Sequence, residues 1–264
     1  MSLKAIVMGC GNSSGVPGIG NYWGHCDPNE PKNKRGRSSL AVVSDGTTLI
    51  IDTGPDFREQ FNREGLSFPE AVFYTHAHGD HCHGIDDLRS FYFRGSQKPL
   101  PVYANAQTFE DLQSRFRYLF EGGNNEFFYP PVLEAREFKD GDFGKEHQIG
   151  DICFVPFLVD HGSCVCTGYR FGDFAYTVDM KALDDEALDI LKGVKTWIAD
   201  AAANTMHNNA VHANIEEIVS YNKTIQAEVV YLSSLTSLMD YQGLLRELPE
   251  GFKPAYDGLQ IEIG

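Results

Sequence analysis

The chain has 264 residues, 42% of them hydrophobic and 22% charged, and its formal net charge is −15. This composition fits one globular domain over residues 1–264, because no segment resembles a linker. The negative charge repels polyanions and so disfavours long nucleic acids, whereas a small anion can bind where a metal or a local basic cluster reverses the local charge. No apolar run approaches the roughly 20 residues that a membrane span needs, so no membrane partner is expected.

The six cysteines are scattered along the chain and form no disulfide-like pattern. The first residues, Met-Ser-Leu-Lys, lack the apolar core of a secretory signal. Together these features predict reduced thiols and a cytoplasmic location. The sequence does not predict the oligomeric state, and a homodimer is one alternative.

The first half of the chain predicts strands that alternate with helices. A strand over residues 3–8 enters a glycine-rich loop whose G-x-G-x-x-x-G spacing opens no helix, so it does not match a dinucleotide-binding fingerprint. Residues 20–38 are loop-like. The elements predicted next are a hairpin of strands 39–44 and 48–52, a helix over 57–64, a strand over 71–75 and a helix over 104–120.

Residues 121–150 are predicted to be irregular, because they contain glycines, three consecutive aromatic residues and a Pro-Pro pair. An insertion of this length is either a lid or binding loop, or a packed excursion on the surface. Both alternatives stay open.

The second half repeats the alternation of strands and helices. The predicted strands are 152–159, 167–171, 174–178, 196–199, 228–232 and 259–263, and the predicted helices are 183–191, 214–221 and 241–248. Two such series, each with a β-hairpin, predict an α/β fold of two sheets faced by helices.

Residues 75–84 carry the strongest chemical signal in the chain. They hold four histidines and an aspartate within eight residues, directly after an apolar strand. Imidazole and carboxylate groups together are the ligands of zinc, manganese and iron. His161 and Asp179 come at the ends of two other predicted strands, where α/β folds build their sites. The sequence therefore predicts a metal centre.

The pattern T-H-x-H-x-D-H at positions 75–81, followed by G-I-D-D-L-R at 84–89, resembles the metallo-β-lactamase superfamily. Within it, the chain resembles the branch that contains ribonuclease Z and the phosphoribosyl cyclic phosphodiesterase of phosphonate breakdown. The resemblance implies a four-layer αβ/βα sandwich with metals at one edge of the sheets. Further segments in family order are G-C-G at 9–11, D-T-G-P at 52–55, D-H-G at 160–162, Y-T-V-D at 176–179 and P-A-Y-D-G at 254–258.

The resemblance also implies one or two divalent metal ions, with zinc or manganese expected. His212 is similar to the family histidine that touches substrate and donates a proton, although a histidine at a helix start is the alternative. The implied metal ligands are His76, His78 and His161 for the first ion, Asp80 and His81 for the second, and Asp179 as a bridge, with Asp52 supporting them from behind.

One departure from the family pattern concerns the last metal ligand. The family supplies a histidine after the late strand, whereas this chain has Ser234 and Thr236 there. Serine is a poor neutral ligand, so weaker occupancy by the second ion is expected. A single-metal enzyme, a rewired two-metal site and a catalytically weakened homologue all stay open.

These features predict a metal-dependent hydrolase, specifically a phosphodiesterase that acts on a small cyclic or nucleotide phosphate through a metal-bound hydroxide. Asp80 would orient the hydroxide and His212 would protonate the leaving alkoxide. Lys34 and Arg35 are candidates to hold the phosphate, with a solvated basic loop as the alternative. The competing functions are a thioester or lactone hydrolase of the same fold, and a phosphate-ligand binding homologue with weakened catalysis.

Overall fold

A computed structural model describes residues 3–123 and 129–264. Within these residues, the first half of the chain forms six strands and four α-helices. In chain order they are β1 (Leu3–Gly9), β2 (Ser39–Val43), β3 (Thr48–Ile51), α1 (Phe57–Glu64), β4 (Ala71–Phe73), α2 (Gly79–Cys82), α3 (Arg89–Arg94), β5 (Leu100–Asn105), α4 (Ala106–Phe120) and β6 (Leu133–Phe138).

The second half continues with eight strands and three helices. They are β7 (His147–Ile149), β8 (Ile152–Asp160), β9 (Val165–Phe171), β10 (Phe174–Thr177), α5 (Asp185–Leu191), β11 (Thr196–Asp200), α6 (Ile215–Ile225), β12 (Val229–Ser233), α7 (Tyr241–Glu247), β13 (Phe252–Pro254) and β14 (Gln260–Ile263).

The strands form two seven-stranded sheets with matching architecture. The first has the order β14-β1-β2-β3-β4-β5-β6, and the second β13-β12-β11-β10-β9-β8-β7. In the first sheet the strands from β3 to β6 pair in parallel and the others antiparallel, and in the second the strands from β10 to β13 pair in parallel. Parallel strands end at one edge of a sheet, so the loops after them cluster there.

Helices cover the outer face of each sheet and produce four layers. The two sheets share an inner core that includes Val42, Phe73, Phe154 and Tyr169. Separate apolar clusters join the first sheet to α1 and α4, and the second sheet to α5 and α6. The predicted α/β four-layer sandwich is confirmed, while its organisation as one domain stays a prediction.

Four helices begin at a polar side chain that caps the first turn. Asn105, Asp184, Asn214 and Asp240 each accept a hydrogen bond from the backbone N–H three residues later. These caps satisfy backbone donors that the first turn leaves without a partner. The cap at Asn105 explains why α4 begins at Ala106, just after a strand that the sequence analysis did not predict.

The prediction that residues 121–150 are irregular is wrong at two strands within its described part. Residues 133–138 form edge strand β6, which pairs with β5, and residues 147–149 form β7, which pairs with β8. Four of the six β6 residues are exposed, so the strand lacks the apolar pattern that reveals buried strands. Residues 124–128 lie outside the described residues, and the lid alternative stays a prediction.

Phe73 provides a test of the inner core. Its ring is fully buried and packs within 6.4 Å, between centroids, of the rings of Tyr103, Phe138, Phe154 and Tyr169. We expect Phe73→Ala to lower the free energy of unfolding by about 3–5 kcal/mol, because it leaves a cavity between the sheets.

Urea denaturation followed by circular dichroism measures this change. Phe93→Ala is the matched control, because the Phe93 side chain is 48% exposed and its loss should cost less than about 1 kcal/mol. Equal losses in the two variants would contradict the assignment of Phe73 to the shared core.

Candidate metal centre

The candidate ligands lie on loops that follow strands of both sheets. Asp52 follows β3, and His76 and His78 lie between β4 and the four-residue helix α2, which carries Asp80 and His81. From the second sheet, His161 follows β8 and Asp179 follows β10. Asp52 and Asp179 have backbone φ angles of 62° and 51°, a left-handed conformation that turns the chain sharply at each strand end.

The structure brings together all six residues that the sequence analysis proposed as metal ligands. One group contains His76, His78, His161 and Asp179, and a second contains Asp80, His81 and Asp179. Within each group, one potential ligand atom per residue lies within 4.8 Å of the others. Asp179 belongs to both groups, as the predicted bridging residue would.

Asp179 Oδ2 is the point on which three imidazoles converge. It lies 3.6 Å from Nε2 of His76, 3.3 Å from Nε2 of His81 and 3.6 Å from Nε2 of His161. Burial opposes ionisation of Asp179, but the charges and hydrogen bonding of these histidines outweigh it and hold its pKa well below the usual range. Asp179 is therefore a carboxylate at neutral pH.

Nδ1, the other ring nitrogen of each of these imidazoles, has its own hydrogen-bond partner. Nδ1 of His81 lies 2.7 Å from Asp52 Oδ2, Nδ1 of His161 lies 2.7 Å from the Val211 carbonyl oxygen, and Nδ1 of His76 lies 3.0 Å from the Thr75 hydroxyl. Such contacts keep a proton on Nδ1 and leave Nε2 as the nitrogen that faces a metal.

Asp52 is itself held in place by Thr75. The Thr75 backbone N–H donates to Asp52 Oδ1, and the Thr75 hydroxyl donates to Asp52 Oδ2, each at 2.8 Å. The placement agrees with the supporting role that the family resemblance implied for Asp52.

His76 Nε2 shows that the cluster fits a cation. This atom is buried and has no hydrogen-bond partner among the described residues. Burial, followed by the nearby imidazoles, holds the pKa of His76 well below its usual value, so the ring stays neutral, the form that binds metals. An unsatisfied buried acceptor costs about 1–3 kcal/mol unless a ligand occupies it. The cluster can therefore bind divalent metal ions, and its nitrogen and oxygen donors suit zinc or manganese.

Ser234 occupies the strand end where a histidine was expected. It follows β12 with a φ of 55°, is buried, and its hydroxyl donates to Asp179 Oδ1 at 3.4 Å. Thr236 lines the same cavity as Asp80 and His212. The second group thus has three protein ligands, whereas the first has four.

The structure adds Asp200, which the sequence analysis missed. Asp200 ends β11, is fully buried, and its Oδ2 lies 2.7 Å from Nδ1 of His212. The backbone N–H groups of Met180 and Ala202 also donate to its carboxylate at 2.9 Å. Its position at a strand end, like that of Asp52 and Asp179, is the signal that could have identified it.

Asp200 changes the acidity of His212. Burial opposes protonation of this imidazole, but the hydrogen bond and charge of Asp200 outweigh that effect and raise the pKa of His212. The ring lines a cavity of about 270 Å3 together with His78, Asp80, His161 and Asp179. A protonatable group therefore faces the same space as both ligand groups.

Lys34 and Arg35, which were predicted to bind substrate, do not line this cavity. Arg35 is buried, and its guanidinium donates to the Thr236 carbonyl at 3.2 Å and to Asn33 Oδ1 at 3.1 Å. Lys34 is exposed and lines a different cavity. Their contact with substrate stays a prediction, and the two residues are not brought together with His212.

The fold and the paired histidine–carboxylate groups define a metal-binding αβ/βα sandwich. The chain belongs to the beta-lactamase superfamily, because residues 47–233 match the family model of the beta-lactamase superfamily domain. The family predicted from the histidine motif is confirmed.

A more specific similarity is to a solved structure of a diphosphatase from the PhnP family. It aligns with 100% of this chain and 98% of its own chain, with a TM-score of 0.86 and 31% sequence identity. The similarity extends over both sheets and includes the segments that carry the candidate ligands.

Two curated relatives have different names. An octanoyltransferase of Porphyromonas gingivalis is 30% identical over 266 residues, covering 99% of this chain and 52% of its own length. A ribonuclease Z of Gemmatimonas aurantiaca is 30% identical over 141 residues, covering 53% of this chain and 42% of its own length. The chain thus spans about half the length of the curated relatives it matches.

Substitution of Ser234 tests the unequal ligand sets. Wild-type protein should bind one zinc ion tightly and a second more weakly, because the second group has fewer ligands. We expect Ser234→His to tighten the second binding step at least about tenfold, which corresponds to 1.4 kcal/mol.

Zinc titration against a chromophoric chelator, with metal analysis of the purified protein, measures both steps. Ser234→Ala is the matched control and should leave the affinities near those of the wild type. Two equally tight ions in the wild type, unaffected by Ser234→His, would contradict the assignment.

Proposed function

We propose that the chain is a metal-dependent hydrolase that cleaves a phosphodiester or diphosphate bond in a small, nucleotide-like substrate. The observation that carries this proposal is the arrangement around the 270 Å3 cavity, where two ligand groups share Asp179 and face the Asp200–His212 pair. The similarity to a diphosphatase over the whole chain supports the same substrate class.

In this proposal His76, His78, His161 and Asp179 would hold a first ion, and Asp80, His81 and Asp179 would hold a second. Divalent ions at such a site activate water and neutralise charge on phosphoryl oxygens. Groups behind the ligands hold them in position. Asp52 is one of these groups, because it accepts a hydrogen bond from His81.

Asp80 orients the attacking water. Burial opposes its ionisation, but the hydrogen bond and charge of His81 outweigh this and hold the pKa of Asp80 below its ordinary value. Its side chain, 17% exposed, borders the cavity. Asp80 is thus a carboxylate that can accept a hydrogen bond from water at neutral pH.

His212 supplies the proton to the leaving oxygen. Asp200 holds Nδ1, so Nε2 is the nitrogen that remains for the substrate. Because its pKa is raised, His212 is more often protonated near neutral pH than a free histidine is, and so is suited to act as an acid.

The size and charge of the protein favour a small substrate. A cavity of about 270 Å3 matches a phosphoryl group with part of its substituents, rather than a long polymer. The net charge of −15 opposes the approach of RNA, although relatives named ribonuclease Z share the fold. Among the described residues no helix is long and apolar enough to span a bilayer.

A second candidate function is hydrolysis of an acyl thioester. The observation that favours it is the relative named octanoyltransferase, which aligns with almost the whole chain. The same metal centre can activate water against a carbonyl carbon. The ligand geometry alone does not separate this reaction from phosphodiester cleavage.

A panel of substrates tests the proposal. Protein loaded with zinc or manganese should cleave bis-p-nitrophenyl phosphate or a nucleoside diphosphate ester faster than octanoyl thioesters or lactones. His78→Ala should lower kcat/KM at least about 100-fold, because it removes a metal ligand. His207→Ala is the matched control, since His207 is exposed and lies outside the ligand groups. Turnover of acyl substrates alone would reject the phosphoester proposal in favour of the second candidate.

The pH dependence tests the Asp200–His212 pair. If protonated His212 is the acid, kcat falls as pH rises through its pKa. Asp200→Asn removes the charge that raises this pKa, so the fall should begin at lower pH and kcat at neutral pH should decrease.

Kinetics across the neutral and alkaline range measure the shift, with circular dichroism to confirm folding. Asp45→Asn, in the exposed turn between β2 and β3, is the control and should leave the profile unchanged. An identical alkaline limb in Asp200→Asn and wild type would contradict the proposed role of this pair.

A further inference from the structure

A second cavity, of about 620 Å3, shares the glycine-rich loop with the candidate metal centre. Asn12 and Ser13 of this loop line the metal-centre cavity, while Gly15 and Val16 line the second one. The charged residues that line the second cavity are Lys34, Arg35, Arg37 and Arg63, together with Asp56, Glu59 and Asp257. Four positively charged side chains therefore line one cavity in a protein whose net charge is strongly negative.

Two of the carboxylates are already paired. Asp56 Oδ1 lies 3.1 Å from Arg37 Nη1, and Asp56 Oδ2 accepts from the Arg37 backbone N–H. Asp257 Oδ2 lies 3.4 Å from Arg63 Nη1, and the Asp257 carboxylate accepts from the backbone N–H groups of Cys10 and Gly36. The remaining charged residues, Lys34, Arg35 and Glu59, therefore determine the net charge of the cavity.

Neither Lys34 nor Arg35 has a carboxylate within 4.0 Å in residues 3–123 and 129–264. Arg35 is only 2% exposed, and its partners are the neutral groups of Cys26, Asn33 and Thr236. A guanidinium removed from water without a counter-charge is costly, so an anion nearby would stabilise it.

Three buried polar atoms of the cavity-lining residues lack hydrogen-bond partners in the described part of the chain. They are Nε of Arg35, Nε of Arg37 and Oε1 of Gln60. Gln60 is 2% exposed and uses its amide nitrogen on the Arg37 carbonyl at 2.9 Å, so its oxygen is free to accept. These residues thus keep two guanidinium N–H donors and one acceptor unused beside the cavity.

We propose that this cavity is a binding site for a phosphoryl group. Arginine and lysine bind phosphate through charge-assisted hydrogen bonds, and the free nitrogen atoms of Arg35 and Arg37 with the Lys34 ammonium provide them. Hydrogen phosphate also carries one hydroxyl, which can donate to Gln60 Oε1. A carboxylate ligand lacks this donor at neutral pH, so the acceptor favours a phosphoryl group.

The site goes beyond the proposed function, because it lies apart from the ligand groups and needs no turnover. Its occupant can be a distal phosphoryl group of the substrate or free inorganic phosphate. Arg35 connects the two cavities, since it donates to the carbonyl of Thr236, which lines the metal-centre cavity.

Calorimetric titration of inorganic phosphate into the zinc-loaded protein tests the site. We expect a binding event that Lys34→Met weakens at least tenfold and that Glu59→Gln strengthens, because these changes remove a cation and an opposing carboxylate. Both residues are exposed, so the variants should fold. Lys98→Met is the matched control and should have no effect, because Lys98 is exposed and does not line this cavity.

The same titration on His78→Ala separates the two cavities. The event should persist there, because His78 lines only the metal-centre side. Phosphate binding that disappears in His78→Ala, or that neither Lys34→Met nor Glu59→Gln changes, would overturn the proposal. Calorimetry requires no turnover, so the phosphate-binding result can be interpreted even if the hydrolase proposal fails.

Kinetics distinguish the two sources of the phosphoryl group. If the group belongs to the substrate, Lys34→Met should raise KM for a phosphodiester that also carries a terminal phosphate monoester and leave KM for bis-p-nitrophenyl phosphate unchanged. If it is free phosphate, added phosphate should change the wild-type rate and affect Lys34→Met only at concentrations at least tenfold higher.

Discussion

The carboxylate of Asp179 is the group on which the rest of the centre depends. One of its oxygens lies within 3.6 Å of Nε2 atoms from three histidines, which come from both sheets. A buried carboxylate is stable only when positive charge compensates it. Divalent cations bound by the imidazoles would supply that charge. The same oxygen therefore explains why the two ligand groups share a member.

The fold provides this convergence through its strand ends. Strands β3 and β4 in one sheet, and β8, β10, β11 and β12 in the other, all end near the centre, and each is followed by a polar residue of the site. Left-handed backbone at Asp52, Asp179 and Ser234 marks three of these ends. Such conformations are unfavourable for most side chains and persist where packing enforces them, which the apolar cores on both faces of each sheet do here.

Sequence reasoning worked best where the signal is local. The residues from His76 to His81 lie within six positions, so their residue types and spacing were sufficient to predict a metal centre. Asp200 was not predicted because its role depends on His212, which lies twelve positions later in the sequence. The loop before α6 brings His212 back to Asp200. Edge strand β6 escaped because its exposed side chains lack the periodicity of a buried strand. Arg35 was predicted to hold phosphate, with a solvated basic loop as the alternative, and only the structure shows that it is buried.

X-ray diffraction from zinc-loaded crystals, with anomalous scattering measured at the zinc edge, tests the central claim most directly. The predicted result is an anomalous peak for a zinc ion that is bound by Nε2 of His76 and His161, a ring nitrogen of His78 and the Asp179 carboxylate. Any second peak should lie beside Asp80 and His81. Zinc bound elsewhere, with these side chains turned away from one another, would contradict it.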